Sequence, residues 1–224
     1  VQYGGRLVIL NNGTIILTDG DACDEREKAE DLGSFPGELL RLTETGGVPS
    51  DNPFVNQSGV QPEIFSYGHR NAQAVVYDPQ SNRIYTHEHG PRGGDELNLM
   101  RPGVNYGWPA ITYGIDYSGA KISPYTSLPG MEQPLIYWDP SIAPSGMTLY
   151  QGDMFPEWQG DLFMTSLRFK NVYQVEMQDG QPGTQQTLFE DINERLRDIR
   201  TAPDGSLYIL AEGKSGTIWQ VLRK

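Results

Sequence analysis

The chain has 224 residues, 17 Lys and Arg against 29 Asp and Glu, a formal net charge of −12, and 37% apolar and 21% charged residues. That is a globular composition, and its acidity argues against a protein that coats nucleic acid or an anionic membrane, tasks that need surplus Lys and Arg. The lone Cys23 excludes a disulfide-stapled scaffold, and no run approaches the ~18 to 20 apolar residues of a membrane-spanning helix.

The opening residues lack the charged and apolar regions of a signal peptide and read as a strand. From there, 26 Gly and 16 Pro separate short runs rich in Val, Ile, Leu, Tyr and Thr, which points to an all-β fold. The first group is residues 6–10, an Asn12-Gly13 turn and residues 14–18. Residues 24–32 have the composition for a turn or two of helix within a loop. A second group comprises residues 72–77, a turn over 78–82, then 83–87 and 95–100. The third is 146–150, 161–166 and 172–177, and the fourth is 196–201, a Pro203-Asp204-Gly205 turn, 206–211 and 216–222. The groups begin near positions 6, 72, 146 and 196, and units of about 50 to 75 residues are the size of propeller blades. A β-sandwich would place turns every ~8 to 12 residues without that superperiod. The expectation is a single β-propeller domain over residues 1–224, with about four blades whose innermost strands lie near 7–10, 73–77, 147–150 and 197–201.

Chemistry-bearing residues concentrate in Tyr67-Gly-His-Arg-Asn-Ala-Gln73, His87-Glu-His-Gly-Pro-Arg-Gly-Gly-Asp-Glu-Leu-Asn98 and Asn105-Tyr-Gly-Trp-Pro109, which hold all three histidines. His87 and His89, two apart on a strand, share a face as a zinc pair requires, yet no third ligand is evident; hydrogen-bonded histidines beside a Gly-rich loop are the plainer reading. Residues 90–96 suit a hard cation, because Gly and Pro let carbonyls converge while Asp95 and Glu96 supply carboxylates; a solvated acidic turn is the alternative. Arg195 and Arg197 also share a face, and with Arg168 and Arg70 they could bind a small polyanion through forked hydrogen bonds. From spacing alone, pairing of Arg195 and Arg197 with Glu190, Asp191 or Asp198 at a blade edge is the stronger reading.

Gly68-His-Arg-Asn71 with Gln73, Glu88-His-Gly-Pro91 leading to Asp95-Glu96-Leu-Asn98-Leu, and Asn105-Tyr-Gly-Trp-Pro109 together resemble the soluble pyrroloquinoline quinone (PQQ)-dependent glucose and aldose sugar dehydrogenases. Tyr3-Gly-Gly-Arg-Leu7, Ala143-Pro-Ser145, Thr165-Ser-Leu-Arg168 and Glu194-Arg-Leu-Arg-Asp198 follow in that family's order, so the resemblance covers essentially the whole chain. It implies a six-bladed propeller of which this chain resembles the C-terminal two-thirds, with about two blades absent on the N-terminal side. It implies further that Arg70, Asn71, Tyr117, Arg168, Arg195 and Arg197 line the PQQ pocket, that Gly90 and Pro91 carbonyls hold the cofactor's calcium, and that Glu96 with Tyr106 holds a calcium in the same loop region.

The implied function is PQQ- and calcium-dependent oxidation of an aldose at its anomeric carbon to a lactone. Electrons would pass to an external acceptor, and the setting would be periplasmic or extracellular. One position departs from the family: its general-base His, four residues before the Arg of the Gly-Gly-Arg-Leu motif, is here Gln2. An amide accepts no proton at neutral pH, and losing a general base typically costs ~10²- to 10⁴-fold in rate. Two further readings follow: a non-catalytic sugar- or quinone-binding propeller, favoured by Gln2, and a calcium-stabilised interaction propeller in which the arginines need not converge.

Overall fold

The computed structural model describes residues 2–213 and 215–224, and among them the regular structure is antiparallel sheet with three single-turn 3-10 helices. The chain forms two compact units, Val1–Ser141 and Ile142–Lys224.

The first unit holds two four-stranded meanders. One runs β1 (Gly4–Ile9), β2 (Ile15–Asp19), β3 (Leu39–Leu42) and β4 (Ile64–Ser66). The other runs β5 (Ala72–Asp78), β6 (Arg83–Glu88), β7 (Asp95–Met100) and β8 (Ile136–Trp138). The Asn12-Gly13 turn forms as its sequence demands, with Gly13 at φ +79° closing β1 onto β2. The helical turn expected within 24–32 is the 3-10 segment Arg26–Lys28. Ile16 and Leu39 from one sheet meet Ala72, Val75 and Ile84 from the other in a shared apolar core. The Thr18 hydroxyl donates to the Ala72 carbonyl at 3.2 Å, a polar tie between the first strand of one meander and the second strand of the other.

The second unit repeats the plan with β9 (Pro144–Leu149), β10 (Leu162–Ser166), β11 (Val172–Gln178) and β12 (Gln181–Leu188), then the three-stranded β13 (Arg195–Thr201), β14 (Leu207–Glu212) and β15 (Thr217–Val221). Every residue of β10 is buried, as befits an inner strand covered on both faces, whereas β14 alternates strictly, with Leu207, Ile209 and Ala211 turned inward. Tyr150 is fully buried; its hydroxyl donates to the Gly205 carbonyl at 2.7 Å and accepts from the Phe155 amide at 2.9 Å. The Ala143-Pro-Ser145 motif now has a physical reason. Ser145 Oγ donates to the Leu196 carbonyl at 2.7 Å, and a Cβ on the following Gly146 would stand 2.5 Å from the Asp198 Cα, so only glycine lets β9 approach β13 this closely.

Each sheet follows chain order, and the first strands β1, β5, β9 and β13 contain the residues expected to be innermost except Leu10 and Tyr150, which lie just past β1 and β9. β1 packs on β5 in the first unit and β9 on β13 in the second. Strands β3, β4, β8 and β12 were not expected from the sequence.

Candidate functional site

In the first unit the chain leaves β4 through Gly68-His-Arg-Asn71 and leaves β6 through His89-Gly-Pro91, so the two motif loops meet. Glu88 joins them. Its Oε2 accepts from the backbone amides of Arg70 at 2.6 Å and Asn71 at 3.3 Å, and its Oε1 pairs with His69 Nδ1 at 3.2 Å. Burial pushes the Glu88 carboxyl up, but the His69 ring and the two backbone amides outweigh it and hold the group below the usual carboxylate range. His69 also meets Ser66 Oγ at 2.9 Å through Nε2 and stacks on Tyr106, so it is a hydrogen-bonded core histidine. Among the described residues no three His, Cys, Asp or Glu side chains group as metal ligands.

The Gly-rich loop doubles back on itself: a Cβ at Gly90 would lie 2.2 Å from the Gly94 carbonyl oxygen, a position closed to any other residue. It encloses a small cavity of about 20 Å³, enough for one water or ion, lined by Arg70, Glu88, Gly90, Glu96, Tyr106 and others. Burial, followed by the charges of Glu88 and Asp95, pushes the Glu96 carboxyl up to about 8 against a hydrogen bond from Asn98. Asn98 Nδ2 bridges Glu88 and Glu96 at 3.3 and 3.2 Å, while its Oδ1 is buried without a partner. The carboxylates of Glu88 and Glu96 line this one-ion cavity, oxygen donors of the kind a hard cation takes, and Asn98, which bridges them, is not among its lining residues. The Tyr106 hydroxyl is already engaged, donating to the Leu99 carbonyl and accepting from the Arg101 amide. The Gly90 carbonyl accepts from Arg70 Nη1 at 2.6 Å.

A second cavity of about 170 Å³ is lined by Gln2, Asp21, Cys23, Arg26, Arg70, Pro91, Trp108, Asp116, Tyr117 and Ile122. It gathers four of the residues singled out from the sequence: Gln2, Arg70, Pro91 and Tyr117. Arg70 is buried, its guanidinium 5.3 Å from the Trp108 ring centroid, and Nη1 also donates to the His89 carbonyl at 2.9 Å. Gln2 bridges the wall: its amide, oriented by its neighbours' hydrogen-bonding needs so that nitrogen faces the carboxylate and oxygen the guanidinium, donates to Asp21 Oδ1 at 2.5 Å and accepts from Arg70 Nη2 at 2.6 Å. Asp21 further accepts from Trp108 Nε1 at 2.9 Å and from the Cys23 amide. Burial raises the Asp21 carboxyl, and the Cys23 amide, Arg70 and Trp108 moderate that rise. Asn71 stands apart from this wall, its Oδ1 accepting from the Gly4 amide and from Gln73. Asp21, Trp108 and Arg26 were missed; Trp108 sits inside a motif already noted, and Asp21 inside the polar Asp19-Gly-Asp21 turn.

In the second unit Arg195 and Arg197 do converge, on a carboxylate. Both reach Glu212 Oε2, Arg195 Nε from 3.7 Å, because β13 pairs with β14 in a register that sets Arg195 opposite Glu212. Sheet-edge pairing is thus observed, with Glu212 in place of the acidic residues anticipated. Arg168 is exposed, its guanidinium 5.2 Å from the Phe169 ring centroid.

The sequence profile of the Glucose / Sorbosone dehydrogenase family matches residues 1–220. Aldose sugar dehydrogenase YliI of Escherichia coli (strain K12) is 43% identical over 222 residues, 98% of this chain and 60% of that protein. The crystal structure of the soluble aldose sugar dehydrogenase from Escherichia coli in the apo-form superposes with a TM-score of 0.93 at 42% identity, covering 100% of this chain and 65% of that one. The PQQ-bound aldose sugar dehydrogenase from Streptomyces coelicolor gives 0.77 at 26% identity, covering 98% and 61%. The chain therefore spans about three-fifths of the length of these relatives.

Proposed function

We propose, from the premise that this chain belongs to the Glucose / Sorbosone dehydrogenase family and has its all-β propeller fold, that it acts in the oxidation of aldose sugars at the anomeric carbon to lactones. The cofactors of this reading are PQQ and calcium, the electron acceptor is external, and the setting is the periplasm or the extracellular space. The observation that carries it is the 170 Å³ cavity with buried Arg70 and Trp108 and exposed Tyr117 on its wall and Gln2 bridging Asp21 to Arg70. No helix is long and apolar enough to cross a membrane among the described residues.

When bound, PQQ supplies an ortho-quinone that accepts hydride, and calcium polarises the accepting carbonyl. The chain's own part is to bind and orient. Arg70 presents a fixed cation over Trp108. The family resemblance assigns Arg168, Arg195 and Arg197 to the cofactor's carboxylates as well, Arg195 and Arg197 being held by Glu212 in the free chain. Asn71 holds β1 and β5 in place through Gly4 and Gln73. In this reading the main-chain carbonyls of Gly90 and Pro91 would hold the cofactor's calcium, and Glu96 with Tyr106 would hold a calcium in the same loop region. Gln2 accepts no proton, so in this chain it orients Asp21 and Arg70 and leaves proton removal from the sugar hydroxyl without the family's agent. That same residue favours the alternative of a sugar- or quinone-binding propeller without turnover. The test is to add PQQ and calcium to the purified chain, follow bound-cofactor absorbance, and then add an aldose with a dye acceptor. Cofactor binding with dye reduction supports the dehydrogenase, binding without reduction supports the alternative, and no cofactor binding removes the dehydrogenase and the quinone-binding form of the alternative.

A further inference from the structure

Arg70 stands between two cavities. The cavity of about 20 Å³ inside the Gly-rich loop and the cavity of about 170 Å³ share two lining residues, Arg70 and Trp108. The main chain of Arg70 is pinned, because the Glu88 carboxylate accepts its amide at 2.6 Å, so rearrangement is confined to the side chain. The guanidinium has three acceptors. Nη1 donates to the His89 carbonyl at 2.9 Å and to the Gly90 carbonyl at 2.6 Å, and Nη2 donates to the side-chain oxygen of Gln2 at 2.6 Å. The Trp108 ring, its centroid 5.3 Å away, completes the seat.

Two main-chain carbonyls converging on one cationic nitrogen form a seat for positive charge, and such carbonyls are also ligands for a hard cation. The Gly90 carbonyl has a second lone pair, but using both would set a guanidinium and a divalent ion on one oxygen. In a buried site like charges repel far more than in bulk water, so the two cations exclude each other there.

We propose that Arg70 makes an autoinhibitory contact: without calcium its guanidinium occupies the Gly90 carbonyl, and it yields that carbonyl to calcium by turning into the 170 Å³ cavity, where it meets a carboxylate of the cofactor. This rests on the reading above in which Gly90 holds the cofactor's calcium. Gln2 keeps its hold on Nη2, so Nη1 turns about that contact toward the cavity Gln2 itself lines. Calcium and cofactor binding are then positively coupled, and the coupling is reciprocal.

The test is a calorimetric titration of the full chain with calcium chloride alone, without PQQ, on the parent and on Arg70→Met, which removes the charge and keeps a flexible apolar stem against Trp108. Arg70→Met should bind calcium roughly fivefold or more tightly than the parent, and binding seen only in the variant supports the contact equally. Calcium should also change the Trp emission of the parent as the guanidinium leaves the Trp108 ring, and Trp108→Phe should lose that change. Equal or weaker calcium binding by folded Arg70→Met, or calcium binding to the parent with unchanged emission, overturns the contact while leaving the calcium reading intact. No calcium binding by either protein overturns both.

Discussion

Replacing Glu38 with Gln should stabilise the protein, and by more at each higher pH. Glu38 is fully buried immediately before β3, with neither carboxylate oxygen hydrogen-bonded. The strand register brings it beside Asp19, whose amide donates to the Glu38 carbonyl at 2.9 Å. Burial, then the charges of Asp31 and Asp19, push its carboxyl from 4.5 up to about 11. The sign follows directly: the folded state holds the proton more tightly than the unfolded chain, so the contribution to stability is full below about pH 4.5 and is lost progressively up to about pH 11. Within that window each pH unit costs about 1.4 kcal/mol, so the advantage of Glu38→Gln should widen by about 3 kcal/mol between pH 6 and pH 8. This difference holds for any folded value well above 8. Urea denaturation of both proteins across that range, followed by Trp fluorescence, measures it. A gap that stays constant with pH would mean that Glu38 is ionised and compensated in the fold, and would refute the reasoning.

Gln2→His should raise aldose turnover by ~10²-fold or more, because an imidazole there would lie in reach of the Asp21 carboxylate and accept the proton that an amide cannot; equal turnover of both proteins with saturating PQQ and calcium would assign the proton transfer to another group. Arg195→Ala and Arg197→Ala should each weaken PQQ binding by roughly 1.5 to 3 kcal/mol, measured by fluorescence titration, and unchanged affinity in both would remove these residues from the cofactor site. Glu96→Gln should lower calcium affinity in equilibrium dialysis and reduce the loss of thermal stability caused by a chelator, and identical calcium binding in variant and parent would place the ion elsewhere.

The strands read from the sequence were those bounded by strong turn chemistry, such as Asn12-Gly13 and Asp204-Gly205, and dominated by apolar β-formers. The four missed strands lacked one or both signals. Ile64–Ser66 and Ile136–Trp138 have three residues each, too few for a period to show, and Gln181–Leu188 is polar because it is an exposed edge strand. Leu39–Leu42 is separated from β2 by a long irregular loop, so no hairpin signal marks it. At the site, the motifs located Arg70 and Pro91, because glycines and prolines that permit tight backbone turns leave a trace in the sequence, whereas Tyr117 was named by the family resemblance alone. Partnerships set by register left none: Arg195 and Glu212 are far apart in sequence and meet only through the β13–β14 pairing. The Gln2–Asp21–Arg70 bridge likewise depends on three separate segments folding together.

The most direct test of the account is anaerobic titration of the chain with PQQ in the presence of calcium, followed by addition of glucose while the spectrum of the bound quinone is recorded. The account predicts saturable binding that Arg70→Ala weakens, and slow conversion of the bound quinone spectrum to the reduced form on adding sugar, accelerated in Gln2→His. Saturable binding with an unchanged spectrum in both proteins would contradict the dehydrogenase reading, and absence of binding would contradict the site itself.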